Sequence, residues 1–266
     1  MKTYALITGA SQGFGKALAL EFANRNMNLI LIALPNSGLP QLSSFICQNL
    51  HVDVHCLEMD LSTIESCYEI FEYVNNNNLQ ITCLVNNAGV LSQGYFDGLD
   101  ENFILKQIAV NVTTPTLLIR LLLDNLKANA PASILNISSM ASFFSLPKKQ
   151  VYGATKAYLT SFSKSLGKEL KKDNISVTTI CPGGLNTTNR LCYQNRILGW
   201  ITRESVLNPE YAAKIAINAV LRKQTLIVPG FINKCLIVLD KLLPEFIKDK
   251  LTNRELNKFP EPKLQV

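Results

Sequence analysis

Tyr152 and Lys156 stand four positions apart in the run Tyr152-Gly153-Ala154-Thr155-Lys156. The apolar spacing and sparse breakers of residues 150–172 predict a helix there, so the phenol and the ammonium share one face. A free tyrosine titrates near ~10. An ammonium about 4–5 Å away, at an effective dielectric of ~20, favours the phenolate by roughly 3–4 kcal/mol. With desolvation set aside, that is ~2–3 pKa units, enough to make the phenol a general acid or base near neutral pH. Alone, each residue also has an ordinary structural meaning. Tyr152 and Lys156 read equally as an exposed helix pair, Asn111 as a helix cap, and Ser139, thirteen residues before Tyr152, as a loop hydroxyl.

The elements that must position these groups are legible in the periodicity. Short β-branched or leucine-rich runs recur at 3–8, 28–33, 52–58, 81–86, 132–137, 175–181 and 225–228, separated by longer segments with helical apolar spacing. The alternation predicts an α/β fold: one doubly wound parallel sheet with helices on both faces, and a ligand at the carboxyl ends of the strands. The 266 residues contain no internal repeat, and Asn75-Asn76-Asn77-Asn78 reads as a helix-to-strand loop rather than a linker, so residues 1–266 are expected to form one domain.

Between the first strand and the first helix lies Thr8-Gly9-Ala10-Ser11-Gln12-Gly13-Phe14-Gly15. Gly9 suits a tight turn, Gly13 and Gly15 leave room for a nucleotide, and the helix behind offers unpaired N–H groups to a diphosphate. The spacing Gly-x-x-x-Gly-x-Gly differs from Gly-x-Gly-x-x-Gly. It resembles the short-chain dehydrogenase/reductase family, as do Asn86-Asn87-Ala88-Gly89, Asn111, Asn136-Ile137-Ser138-Ser139, Tyr152 with Lys156, and Pro182-Gly183-Gly184, in order and spacing over approximately residues 3–190.

The resemblance implies a Rossmann-like fold and an oxidoreductase that moves a hydride between NAD(P)(H) and a carbonyl or secondary alcohol, without a metal. Tyr152 then exchanges the proton, Ser139 hydrogen-bonds the substrate oxygen, Lys156 also binds the nicotinamide ribose, and Asn111 holds a water joining Lys156 to solvent. The cofactor is expected against Gly9, Ser11, Gln12, Gly13, Phe14 and Gly15, with Asp60 and Leu61 near adenine and Asn87, Ala88 and Gly89 shaping the cleft. Pro182, Gly183, Leu185 and Thr187 complete it, Thr187 holding the nicotinamide amide, and Tyr152 and Lys156 also count as cofactor contacts. A quieter meaning stays open at two places: Asp60 can begin a helix through Asp60-Leu61-Ser62-Thr63, and Asn87-Ala88-Gly89 can be a structural turn. The resemblance also implies a homodimer or homotetramer built on the helices around 113–129 and 150–172.

Ala33-Leu34-Pro35-Asn36-Ser37, after the second strand, has neither an acid for a ribose hydroxyl nor an arginine for an extra phosphate. Without a repelling carboxylate, the reading leans to NADP(H) over NAD(H). Residues 188–207, with Leu191, Tyr193, Ile197, Leu198, Trp200 and Ile201, are expected to form a lid, and Phe143, Phe144 and Leu146 a second apolar wall. Both favour an apolar ketone or 3-oxoacyl substrate, although a lid of this kind also suits an oligomer contact. The rival function is a non-catalytic nucleotide-binding regulator of the same fold.

Composition narrows the field further. The net charge of +6 comes from dispersed lysines without interleaved aromatics, so no nucleic-acid partner is expected. Seven cysteines without a Cys-x-x-Cys pair read as reduced, buried thiols. Cys47, His51, His55 and Cys56 lack the paired spacing of a zinc site. No apolar run approaches the ~18–20 residues of a membrane span and no secretion signal is seen, so the expected location is cytoplasmic. In the extension 230–266, Phe231, Leu236, Leu239, Leu242, Leu243, Phe246 and Ile247 form an apolar stripe expected to pack on the domain, with membrane-surface contact as the alternative.

Overall fold

A computed structural model describes residues 2–91, 94–187, 205–244 and 246–248. Each of the seven apolar runs is a strand: β1 Thr3–Thr8, β2 Asn28–Ala33, β3 Val54–Glu58, β4 Gln80–Asn86, β5 Ala132–Ile137, β6 Ile175–Ile180 and β7 Leu226–Ile227. They form one sheet in the order β3-β2-β1-β4-β5-β6-β7, with all neighbours parallel. The crossovers are helical: α1 Gly13–Ala23, α2 Leu39–Leu50, α3 Ile64–Asn76, α4 Glu101–Ile108, α5 Thr114–Ala128, α6 Gln150–Leu170 and α7 Pro209–Leu221; a further helix, α8 Phe231–Leu242, follows β7.

The central strands are apolar on both faces because helices cover both. Along β1, Ala5 and Ile7 join one core layer with Leu31, Phe14, Leu18 and Ile217. The alternate Tyr4 and Leu6 join the other with Ile30, Ile70, Leu118 and Leu122, as the period of two requires. Strand order reverses between β1 and β4, and the carboxyl ends part there to leave a crevice.

Several local expectations change. The asparagine run is not all loop: α3 continues to Asn76, Asn77 caps it and Asn78 turns at φ +51°. Cys67, Cys83 and Cys181 are buried, but Cys47 and Cys235 are exposed, since each lies on the outer side of a surface helix. His51 closes α2 in the left-handed conformation, and His55 Nδ1 lies 2.8 Å from the Tyr73 hydroxyl. The expected packing of the C-terminal stripe is overturned in part. Phe231, Leu239, Leu242 and Phe246 are exposed, because α8 is seated by its opposite side, through Asn233. No helix among the described residues is long and apolar enough to cross a membrane.

Candidate active site

A cleft of about 310 Å³ opens over the carboxyl ends of β1 to β4. Its floor is the turn after β1. Gly9 takes φ +65° and Gly13 +55°, conformations that a side chain strains. The space the glycines free belongs largely to the protein, which corrects the expectation for Gly13 and Gly15. A Cβ on Gly15 would overlap the Gly9 carbonyl, and one on Gly13 would lie 3.0 Å from the Thr187 side chain. Gln12 precedes α1 without a capping side chain and no acid occupies the first turn, so the first N–H groups face the cleft with positive dipole and no competing carboxylate.

Asn87 ties the two halves together. Its Nδ2 donates to the carbonyls of Thr8 (2.9 Å) and Gly9 (3.0 Å), while the backbone N–H groups of Asn87 and Ala88 donate to Thr8 Oγ1. Its side chain therefore builds the cleft by joining the β1 and β4 turns. Asp60 lines the cleft and also serves the quieter role: its Oδ1 accepts from Ser62 N (2.9 Å) and its Oδ2 from Lys106 Nζ (3.1 Å). The Ser62 and Lys106 partners outweigh desolvation, the largest opposing influence, and hold the carboxyl below its usual range.

At the other end, beyond β5, the two adjacent serines separate. Ser138 is buried, its Oγ donating to the Lys156 carbonyl (2.9 Å) and meeting Thr160 Oγ1 at 2.7 Å. Ser139 begins the short turn Met140–Ser142, where its Oγ accepts from Ala141 N (3.1 Å), and its side chain lies close enough to the Tyr152 phenol to favour the phenolate. On α6, Lys156 Nζ donates to the Ile137 carbonyl (2.9 Å) and lies 5.8 Å from the Tyr152 ring centre. Ser139, Tyr152 and Lys156 are thus brought to one place.

Asn111 reaches the same place through an irregularity the periodicity did not reveal. Ala109–Thr113, between α4 and α5, is a π-helical turn, a widened turn that occurs often at functional sites. It holds the Asn111 carboxamide against Val90, accepting from its N–H (2.8 Å) and donating to its carbonyl (3.0 Å). A further donation reaches Thr155 Oγ1 (3.1 Å) on α6. Gly89 leaves the space between them open: a Cβ there would lie 3.3 Å from Lys156 Nζ and 3.4 Å from Asn111 Oδ1.

Desolvation reverses the Coulomb expectation for this pair. Burial pushes the Tyr152 phenol up from its ordinary value, with the Ser139 hydrogen bond opposing, and burial pushes the Lys156 ammonium down to about 8. The desolvation set aside in the Coulomb argument is the larger effect, because both charged forms lose hydration in the same enclosed space. The phenol is consequently protonated at neutral pH.

Other expectations also shift. Leu185 packs on the core and bridges to Leu207, while Gly183 is closed over by Ser205 and Asn233. Neither lines the cleft, nor does Pro182, whose carbonyl accepts from Met140 N. Thr187 does line it. Residues missed in the sequence include Ser37, whose buried Oγ has no partner, and Lys106. Leu91, Tyr95 and Phe96, exposed after β4, were missed as well. Gly94 N donates to the Lys148 carbonyl, and Lys148 Nζ sits 4.4 Å from the Tyr95 ring centre, joining that loop to the one before α6. Phe143, Phe144 and Leu146 are half-buried. The expected lid falls almost wholly on residues 188–204, outside those described.

A parallel sheet with a glycine-turn cleft at its switch point, and a serine–tyrosine–lysine cluster that adjoins it across Gly89, defines a nucleotide-binding oxidoreductase fold. The chain belongs to the short-chain dehydrogenase family, whose model matches residues 3–194. It is similar to the very-long-chain 3-oxoacyl-CoA reductase of Bos taurus, 33% identical over 183 residues that cover 67% of this chain and 58% of that protein. The chain thus matches less than two thirds of that relative's length. A short-chain dehydrogenase from Sphingobium yanoikuyae in complex with NADPH is 26% identical, with a TM-score of 0.79 and 93% and 95% of the two chains covered. A bulky-bulky ketone specific alcohol dehydrogenase from Comamonas testosteroni is 25% identical, with a TM-score of 0.74 and 99% and 96% covered.

Proposed function

We propose that the protein reduces an apolar ketone or 3-oxoacyl compound with NADPH, using Tyr152 as the proton donor. The observation that carries this reading is the cluster of Tyr152, Lys156 and Ser139, its phenol kept protonated by burial, adjoining the nucleotide cleft across Gly89. NADPH fits the cleft residues. The uncapped start of α1 suits a diphosphate, and at the adenosine end the buried Ser37 hydroxyl has a free hydrogen-bonding valence. The end of β2 carries no acid, the nearby Glu58 carboxylate is engaged by Asn36 N (3.0 Å), and Lys106 supplies a cation. When bound, the reduced nicotinamide supplies the hydride.

The chain's own residues control the proton. A carbonyl oxygen set between the neighbouring Ser139 and Tyr152 hydroxyls receives two hydrogen bonds as negative charge develops on it. Tyr152 gives up its proton to that oxygen. Lys156 stabilises the resulting phenolate, and Asn111, fixed to Val90 and Thr155, leaves the space beside Gly89 for a water that returns a proton. Leu91, Tyr95 and Phe96 offer apolar surface to the substrate, and the names of the bovine and Comamonas relatives point to the same bulky carbonyl class.

The test is a screen of NADPH and NADH oxidation against varied ketones and 3-oxoacyl thioesters, repeated with Tyr152→Phe. A higher kcat/KM with NADPH is expected. The variant should lose about 10²–10⁴-fold in kcat while binding NADPH within about twofold of wild type. Normal kcat in the variant, or a large NADH preference, overturns the corresponding assignment.

A further inference from the structure

We infer that the outer face of α8 is a docking surface for an anionic lipid bilayer. Phe231, Cys235, Val238 and Leu242 recur at four, three and four residues, so they stack along one side of the helix, with Leu239 beside them. Phe231 is 80% exposed and Leu242 75%. Phe246 continues the stripe at 73%, in a turn after Pro244 that the Lys248–Asp240 ion pair (3.6 Å) ties back to α8. Its helical part, from Phe231 to Leu242, is about 16 Å long at the ~1.5 Å rise of a helix.

Three further observations choose the occupant. The helix is held on its inner side by Asn233, whose Nδ2 donates to the carbonyls of Ser205 (3.1 Å) and Pro229 (2.8 Å). The apolar side is therefore presented by a fixed element, not a frayed one. Residues 222–248, the segment that holds α8, carry five basic and two acidic side chains, a net +3 of the chain's +6, complementary to acidic headgroups. Phenylalanines close both ends of the stripe, with the exposed Lys234 at its flank, the composition of a helix lying in a bilayer interface. At 12 residues α8 is too short to span a bilayer, so it lies on the surface. The proposal is independent of the substrate reading: turnover of a water-soluble ketone needs no membrane, and docking needs no turnover.

The full chain should co-sediment with vesicles of phosphatidylcholine containing about a third phosphatidylserine, with at least about tenfold weaker partition onto phosphatidylcholine alone or in 0.5 M salt. The double variant F231S/L242S should lose at least about tenfold in partition onto the acidic vesicles while keeping its circular dichroism and melting temperature. Phe246→Ser, outside α8 itself, provides a second variant expected to weaken binding in the same direction. Wild-type protein that stays in the supernatant with acidic vesicles overturns the proposal, and so does undiminished binding by both variants. Light scattering that shows α8 occupied by a second copy, released by F231S/L242S, together with no vesicle binding, overturns it in favour of a dimer contact.

Discussion

The cleft over β1 to β4 and the cluster beyond β5 solve different problems. The first is made of backbone: glycines bring chain segments into contact and Asn87 fastens one turn to another. The second is made of enclosed side chains: Ser139, Tyr152 and Lys156 are governed by how much water has been removed from them. Shape therefore limits substitution at the nucleotide end, while solvation limits it at the reacting end.

The harshest way to probe this contrast is Gly15→Ala. The added methyl overlaps the Gly9 carbonyl, which no side-chain rotation relieves, so at least about 3 kcal/mol of stability and most NADPH binding should be lost. Urea unfolding and a fluorescence titration measure both. A variant that melts normally would mean that the helix and turn are not in close contact.

The adjacent serines separate structure from chemistry within the second region. Ser139→Ala should lower kcat/KM about 10–100-fold with a nearly unchanged melting temperature. Ser138→Ala removes the partner of Thr160 and the Lys156 carbonyl and should cost about 1–3 kcal/mol of stability. Steady-state rates and calorimetry on the two variants decide between them; the reverse pattern would exchange their roles.

Lys156 yields a smaller effect with a definite sign. Its folded pKa of about 8 lies below the ~10.4 of an unfolded lysine, so between these values the unfolded chain binds more protons. Stability should therefore rise with pH across that window, by up to about 3 kcal/mol, and the buried ammonium is costliest below pH 8. Lys156→Met should flatten that part of the wild-type profile in urea unfolding at pH 7–10. An unchanged slope would assign the titration elsewhere. The least change is expected from Lys106→Ala, about two- to fivefold in the Kd for NADPH, because this exposed cation already shares Asp60. An effect above about fiftyfold would make it the main anchor of the adenosine end.

Sequence periodicity located all seven strands because each is a short apolar run between breakers. The family resemblance and the thirteen-residue spacing to Tyr152 single out Ser139 over Ser138, and it is Ser139 that lies beside the Tyr152 phenol while Ser138 is buried against Thr160. Features that arise from folding were not legible. Ser37, in the turn before α2, became a buried hydroxyl without a partner only on folding, and Gly15 proved to face a carbonyl that lies six residues earlier in the chain. The direction of the Tyr152 shift depends on desolvation, which residue spacing does not measure. The exposure of α8 likewise depends on which side Asn233 fastens.

The widened turn at Ala109–Thr113 has a consequence for any attempt to shorten or graft this fold. It contains, in effect, one residue more than a regular coil needs, and that surplus sets the angle at which α5 leaves. Forcing the turn into a regular coil while keeping that residue would advance everything downstream by about 100°. Leu118 and Leu122 would swing away from the sheet and the Asn111 amide away from Val90 in the same stroke. Packing and polar geometry thus share one phase, and a library that varies loop lengths should leave this segment's length untouched.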